Sequence, residues 1–422
     1  MSEEVLNNVQ DHSLKKEDLA NTSKKVVLAL QHLIAMFGAT VLVPILTGFN
    51  PSIALFTAGL GTLIFHLCTQ GKVPVFLGSS FAFIPVILTV KEIYGDLAYA
   101  QGGIIIAGLI YVGISLLIEK IGVDRIQRFL PPQVIGPMII VIGLNLIPTA
   151  VGMASENFLI AGLTLAIALI VNFTGKGFFK QLSILVAIIA GYIISAFAGI
   201  VDITAVTRSP FFAIPPFTLP KFDGGAIAII APVVLAVFME HIGDITTNGQ
   251  VVGKNFVENP GLNRTLLGDG LATIVAGMVG GPANTTYGEN TGVLAITKNY
   301  DPAILRLAAI FAVTLGFVSK IGAFLGTIPN SVMGGISIML FGMIALVGVQ
   351  TIKTNDVKFN IKNTIIMATI LILGLGSEFI QTKFGIVIGI PITKTVAISG
   401  LSLAAIVGIV LNAILNRKQL KA

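Results

Sequence analysis

Apolar stretches of about 17–23 residues recur along the chain from Val26 to Leu415. At 1.5 Å per residue, a helix of that length crosses the ~30 Å hydrocarbon layer of a bilayer. Charged residues make up only 11% of the 422, against about 25% in soluble domains. A water-soluble core cannot absorb so much apolar sequence. The chain therefore reads as an all-α polytopic membrane protein of about fourteen segments: 26–47, 52–70, 74–92, 102–119, 132–150, 157–174, 181–200, 225–245, 265–279, 281–297, 303–324, 331–349, 363–380 and 393–416.

Charge placement gives the orientation. With both termini inside, 20 of the 26 basic residues fall on the cytoplasmic side, and only Lys91, Arg208, Lys221, Lys320, Lys383 and Lys394 lie outside, as the positive-inside rule demands. The net charge of +6 thus reflects topology and implies no nucleic acid. Residues 1–25 read as a disordered cytoplasmic tail without a removable signal peptide, and 417–422 as a short cytoplasmic C-terminal tail. Cys68 is the only cysteine, so there is no internal disulfide and no thiolate metal site. The chain has no phosphate-binding loop, metal-binding spacing or nucleophile–base pattern, so an enzyme, a metal and a cofactor are all unexpected.

The sequence repeats itself. "LQHLIAMFG" (30–38) matches "MEHIGD" (239–244), "GSSFAF" (78–83) matches "NTTYGE" (284–289), and "LPPQVIGP" (130–137) matches "IPNSVMGG" (328–335), at offsets of 209, 206 and 198. Two halves of seven segments follow, 26–224 and 225–416. Seven is odd, so the second half lies inverted, a transporter arrangement whose site falls at interrupted segments in corresponding positions. Segments 3 and 10 are that pair. "PVFLGSSFAF" and "GGPANTTYGEN" predict short strands that pair at mid-membrane, followed by helices starting near Ile84 and Asn290.

Carboxylates inside a span cost ~2.5–3.5 kcal/mol at its centre and mark function by default. Glu240 and Asp244, one turn apart, and Glu289 suit a small planar ligand with N–H donors, whose carbonyls backbone amides would bind. Phe81 and Tyr287 are placed to stack on its ring. His241 lies about 100° round the helix from Glu240 and reads as a packing or inter-span hydrogen-bonding residue, and His32 reads likewise, with an indirect role in orienting Glu289 or Glu240 left open. Asn290 reads as a helix cap. Ser79, Ser80, Thr285 and Thr286 read as satisfying local backbone. For Asp244, proton sharing with Glu240 and plain helix pairing both stay open.

"QHLIAMFGATVLVP" (31–44), "GSSFAFI" (78–84), "EHIGD" (240–244) and "NTTYGENTGVLAITK" (284–298) resemble the nucleobase–ascorbate transporters, in their bacterial uracil permease branch. The resemblance spans Leu28 to Ile414, and Glu289, Asn290, Gly292, Thr297 and Lys298 carry the family signature. It implies a core domain of segments 1–4 and 8–11 and a gate domain of segments 5–7 and 12–14, with uracil between them. Glu240 and Glu289 would bind uracil's polar edge, the amides of Phe81 and Gly288 its oxygens, and Tyr287 and Ala39 its ring. Proton-coupled uptake across the bacterial plasma membrane, a homodimer and contact with membrane lipid are implied as well. Asp244 stands where some uracil permeases have histidine, and Phe341 where some members have tyrosine. The alternatives are a xanthine or purine permease of the same family, or an anion transporter or channel with the same repeat.

Overall fold

The computed structural model describes residues 3–122, 131–391 and 397–416. Arg125, Arg128, Leu130, Lys394 and the tail 417–422, with Arg417, Lys418 and Lys421, lie outside the described residues.

Fourteen helices of ten or more residues, one for each expected segment, occur among the described residues. They are α1 (Glu3–Thr47), α2 (Pro51–Cys68), α3 (Ile84–Tyr94), α4 (Leu97–Ile121), α5 (Pro132–Ala154), α6 (Phe158–Thr174), α7 (Ser183–Phe197), α8 (Val234–Val252), α9 (Leu262–Val279), α10 (Gly288–Thr297), α11 (Pro302–Gly316), α12 (Asn330–Thr354), α13 (Ile361–Phe384) and α14 (Gly400–Leu415). Seven of them are long and apolar enough to cross a membrane, α8 doing so together with the short helix Gly224–Ile230 that leads into it. An eighth crossing forms if α11 is joined to Ser319–Gly326 across a 76° bend, while α6, α7 and α14 are shorter apolar helices. The N-terminal segment expected as a disordered tail instead extends α1 back to Glu3. Residues 3–21 contain no glycine or proline, so nothing in them interrupts propagation from the apolar part of the helix.

Local chemistry sets the ends. Asn50 Oδ1 accepts the amides of Ser52 (2.9 Å) and Ile53 (3.4 Å) at the start of α2, Asp96 accepts Ala98 N at α4 (2.8 Å), and Asp301 accepts Ala303 N at α11 (2.9 Å). Each satisfies a donor that the helix start leaves free. The helices pack in two groups. In one, α9 lies on α2 and α4, and α11 lies on α1 and α2. In the other, α5 lies on α12 and α13, α6 on α7 and α12, and α13 on α14. Gly143 lets the α5 backbone approach Phe341 O and Ala345 N of α12 closely, the small-residue contact that brings helices together in lipid.

The two interrupted segments begin as strands, β1 (Leu77–Ser79) and β2 (Asn284–Thr286), which pair antiparallel as Leu77↔Thr286, Gly78↔Thr285 and Ser79↔Asn284. The central pair joins residues 207 positions apart, close to the sequence offset, so the pseudo-two-fold axis of the repeat passes between Gly78 and Thr285. Equivalent threonines hold the two strands: Thr62 Oγ1 of α2 accepts the Leu77 amide (2.9 Å), and Thr273 Oγ1 of α9 accepts the Asn284 amide (3.3 Å). Asn248 Nδ2 donates to Pro74 O (3.0 Å), Asn284 Nδ2 to Thr57 O (3.0 Å) and His66 Nε2 to Val75 O (2.9 Å).

A Cβ on Gly78 would collide with the Tyr287 ring, whose hydroxyl donates to Ser79 O (2.9 Å). Gly78→Ala is expected to destabilise by about 1–3 kcal/mol, and in a Tyr287→Ala background the same change is expected to be nearly neutral. Thermal unfolding of the purified single and double variants in detergent measures both. A second expectation concerns a polar cluster away from the strands. The Tyr94 hydroxyl, followed by the Gly225 amide, holds the Asp223 carboxyl below its ordinary range, and the Ala98 amide, followed by Lys221, does the same for Asp96. Depressed carboxyl values give stability that is present above the unfolded value of about 3.9 and lost as pH falls through the folded value. The melting-temperature gap between the wild type and Asp223→Asn should therefore close as pH is lowered below about 4.

Candidate functional site

The interrupted segments leave backbone donors free beside the strands. The short 3-10 turn Phe81–Phe83 and α3 follow β1, and α10 follows β2 at Gly288. The first amides of a helix lack internal acceptors and carry partial positive charge. Gly288 is exposed, with open space around its Cβ position.

Alongside lies a cavity of about 680 Å³, in the size range of small-molecule sites. It is lined by Phe81 and Ala82, by Glu240, Gly243, Asp244, Thr247 and Gln250 of α8, and by α5 and α12 residues including Ile139, Ile344, Gln350 and Thr354. It therefore sits between α8 and the Phe81 turn on one side and α5 and α12 on the other. Its polar rim, Thr247, Gln250, Thr351, Thr354 and Asn355, follows the C-terminal ends of α8 and α12. Beyond the N-terminal end of α8, Ser402 of α14 donates to Ile229 O (3.0 Å) of the short helix Gly224–Ile230.

Three of the sequence-selected residues, Phe81, Glu240 and Asp244, line this cavity. Glu289 is half-buried in the first turn of α10, near enough to Glu240 for the two charges to repel. Others stand back from the cavity. Ala39 is fully buried in α1. Tyr287 is buried over Gly78 with its hydroxyl on Ser79 O, so its ring braces the strand crossing and is not presented to the cavity. Asn290 is not a cap: α10 starts two residues earlier, at Gly288, and the Asn290 amide reaches across to α1, donating to His32 O (3.0 Å) and meeting His32 Nδ1 at 3.2 Å. His241 is buried, with Nδ1 2.8 Å from Asp269 Oδ2 and Nε2 2.9 Å from Thr265 Oγ1.

Two participants escaped the sequence reading. Asp269 in α9 is 2% exposed; its signal was available, a carboxylate inside an apolar segment. Thr286, expected to satisfy local backbone, instead donates its hydroxyl to Asp244 Oδ2 (2.9 Å), a link between strand and helix with no mark in local sequence. The hydroxyls of Ser79, Ser80 and Thr285 are buried without partners, because the strand pairing already takes up the neighbouring backbone groups. Carboxylates, free amides and an aromatic ring around one cavity can take a planar polar ligand from both its donor and its acceptor sides.

Gly243 lines the cavity with nothing within 4 Å of its Cβ position, whereas Ala39 is fully buried. In a Cys68→Ser background, Gly243→Cys is expected to react rapidly with a water-soluble maleimide and Ala39→Cys to resist it. Equal labelling of the two would show that the cavity is placed wrongly.

The chain is similar to known proteins along nearly its whole length. A family model described as "Permease family" matches residues 23–383. The uracil permease of Bacillus subtilis is 42% identical over 423 residues, covering 96% of this chain and 95% of that protein. The probable uracil permease of Haemophilus influenzae is 42% identical over 404 residues, covering 93% and 95%. Among solved structures, the transmembrane domain of the cyanobacterial bicarbonate transporter BicA superimposes with a TM-score of 0.64 at 17% identity, covering 86% of this chain and 97% of that one. SLC26A9 superimposes with a TM-score of 0.69 at 10% identity, covering 94% and 65%. At such identities these structures share the fold alone.

Proposed function

The chain belongs to the permease family of nucleobase–ascorbate transporters, and from that premise we propose that it carries uracil across the plasma membrane in symport with protons. The single observation behind this reading is the 42% identity, end to end, with a uracil permease. The cavity chemistry agrees with it. Uracil presents two N–H groups and two carbonyls around a flat ring. Glu240 would accept an N–H, with Glu289 as its partner acid once substrate draws the two packing groups together. The free amides at Phe81 and Gly288 would donate to the carbonyls, and Phe81 would cover the ring.

Coupling follows from the same carboxylates. Glu240, Asp244 and Glu289 crowd one another, and close carboxylates share protons. A proton bound there lowers the electrostatic cost of the loaded state, so substrate and proton travel together. The polar rim would face the cytoplasm in this state and the Ser402–Ile229 contact would seal the outer side. Movement of the α1–α4 and α8–α11 core against the α5–α7 and α12–α14 gate would then expose the strand crossing alternately to each side. The anion reading suggested by the shared fold finds three acids where an anion would sit.

The test is uptake of labelled uracil into liposomes holding the purified protein, under an inward proton gradient, an inward sodium gradient or neither. Accumulation driven by the proton gradient alone and indifferent to excess xanthine is expected. Glu240→Gln and Glu289→Gln should each reduce it by at least about 100-fold, the loss of a charge-assisted hydrogen bond to substrate together with the proton site. Competition by xanthine would move the assignment to the purine branch.

A further inference from the structure

Behind the cavity wall, side chains link α8, α9 and β2 in a ring. The Asp269 carboxylate of α9 receives His241 Nδ1 from α8 at 2.8 Å, and one turn further along α9 the Thr273 hydroxyl accepts the Asn284 amide of β2 at 3.3 Å. The Thr286 hydroxyl of β2 donates to Asp244 Oδ2 of α8 on the cavity side at 2.9 Å. Helix α9 thus holds α8 through Asp269 and β2 through Thr273, and β2 reaches α8 through Thr286.

His241 is held at both ring nitrogens, Nδ1 by Asp269 Oδ2 at 2.8 Å and Nε2 by Thr265 Oγ1 at 2.9 Å, so the imidazole joins α8 to two side chains one turn apart on α9. His241 is 0% and Asp269 2% exposed, and neither lines the cavity.

We propose that the buried His241–Asp269 hydrogen bond locks α8 to α9 and so positions β2, held by Thr273 of α9, with the Thr286 hydroxyl presented to Asp244; His241 and Asp269 are positioning residues and carry no transported proton. The proposal rests on the transport reading above and assigns labour among its acids. Proton exchange stays with Glu240, Asp244 and Glu289, which reach water through the cavity or the first turn of α10. The charged and titratable groups facing Asp244 are Glu240 and His241 on its own helix and Glu289 from α10. Tyr111 of α4 faces Asp269 and Glu240.

Removing one member of a buried hydrogen-bonded pair leaves the other polar group unpaired, whereas removing both leaves none stranded. In full-length protein, Asp269→Asn and His241→Gln should therefore each lower the melting temperature more than the Asp269→Asn/His241→Gln double variant does. Each single change should also reduce uracil uptake by at least about ten-fold, with partial recovery in the double variant. Thr286→Val and Asp269→Asn should shift the pH profile of uptake in the same direction, and their combination should shift it no further than Thr286→Val alone. Two results overturn the proposal. One is an Asp269→Asn protein that keeps its melting temperature and uracil counterflow but loses proton-driven accumulation, which makes Asp269 a carrier. The other is loss of stability with an unmoved pH profile, which leaves the pair a structural contact only. If the wild type moves no uracil, the transport reading fails, while the melting order of single and double variants still decides whether the pair exists.

Discussion

A bilayer offers no water to a backbone that stops being helical, and an unpaired N–H or C=O in hydrocarbon costs several kcal/mol. Two of the apolar segments nevertheless stop being helical. They meet that constraint by pairing with each other, β1 against β2, and by using Thr62 of α2, Thr273 of α9 and Asn248 of α8 as substitute partners. Everything at the site depends on this exchange. Because the strand groups are satisfied by neighbours, the helices that follow can begin at mid-depth, and their unpaired first amides open onto the space beside the strands.

The same crossing sets the electrostatics. Positive helix starts and negative side chains converge on a region where charge is poorly screened. Glu240 and Asp244 come from one continuous helix and Glu289 from one of the broken segments, so the acids belong to elements tied together by a three-residue sheet. Thr286 makes that tie chemical as well as spatial. A change in the strand's position alters what Asp244 is bonded to, and a change in the charge on Asp244 alters what holds the strand.

Much of this was legible in the sequence, for physical reasons that differ by element. Apolar length located the helices, and proline, glycine and clustered hydroxyls located the two strands, because few residues tolerate an interruption at that depth. Glu240 and Asp244 could be picked out because a polar group in an apolar segment needs a reason to be there, and Phe81 because it sits in the interrupted run "GSSFAF". Asp269 satisfied the same criterion and was passed over, since its meaning comes from His241, 28 positions away and visible only once α8 and α9 are packed. Tyr287 and Asn290 were read by residue type, as a stacking ring and a cap. In the fold, packing over Gly78 takes Tyr287, and a hydrogen bond from its side-chain amide to His32 O of α1 takes Asn290. Spacing along a chain reports periodicity well and reports contacts between distant helices hardly at all.

The axis between Gly78 and Thr285 gives the two halves geometrically equal standing, yet they are chemically unequal. The position matching Glu240 in the first half holds Gln31, an amide that carries no charge in any state. Duplication supplied two identical addresses, and divergence furnished only one of them with acid. The first half is thus free to keep shape alone, and substitutions that preserve volume and polarity should accumulate there with less consequence than their mirror-related counterparts in the second. A protein built as a palindrome in space is read by its cargo in one direction.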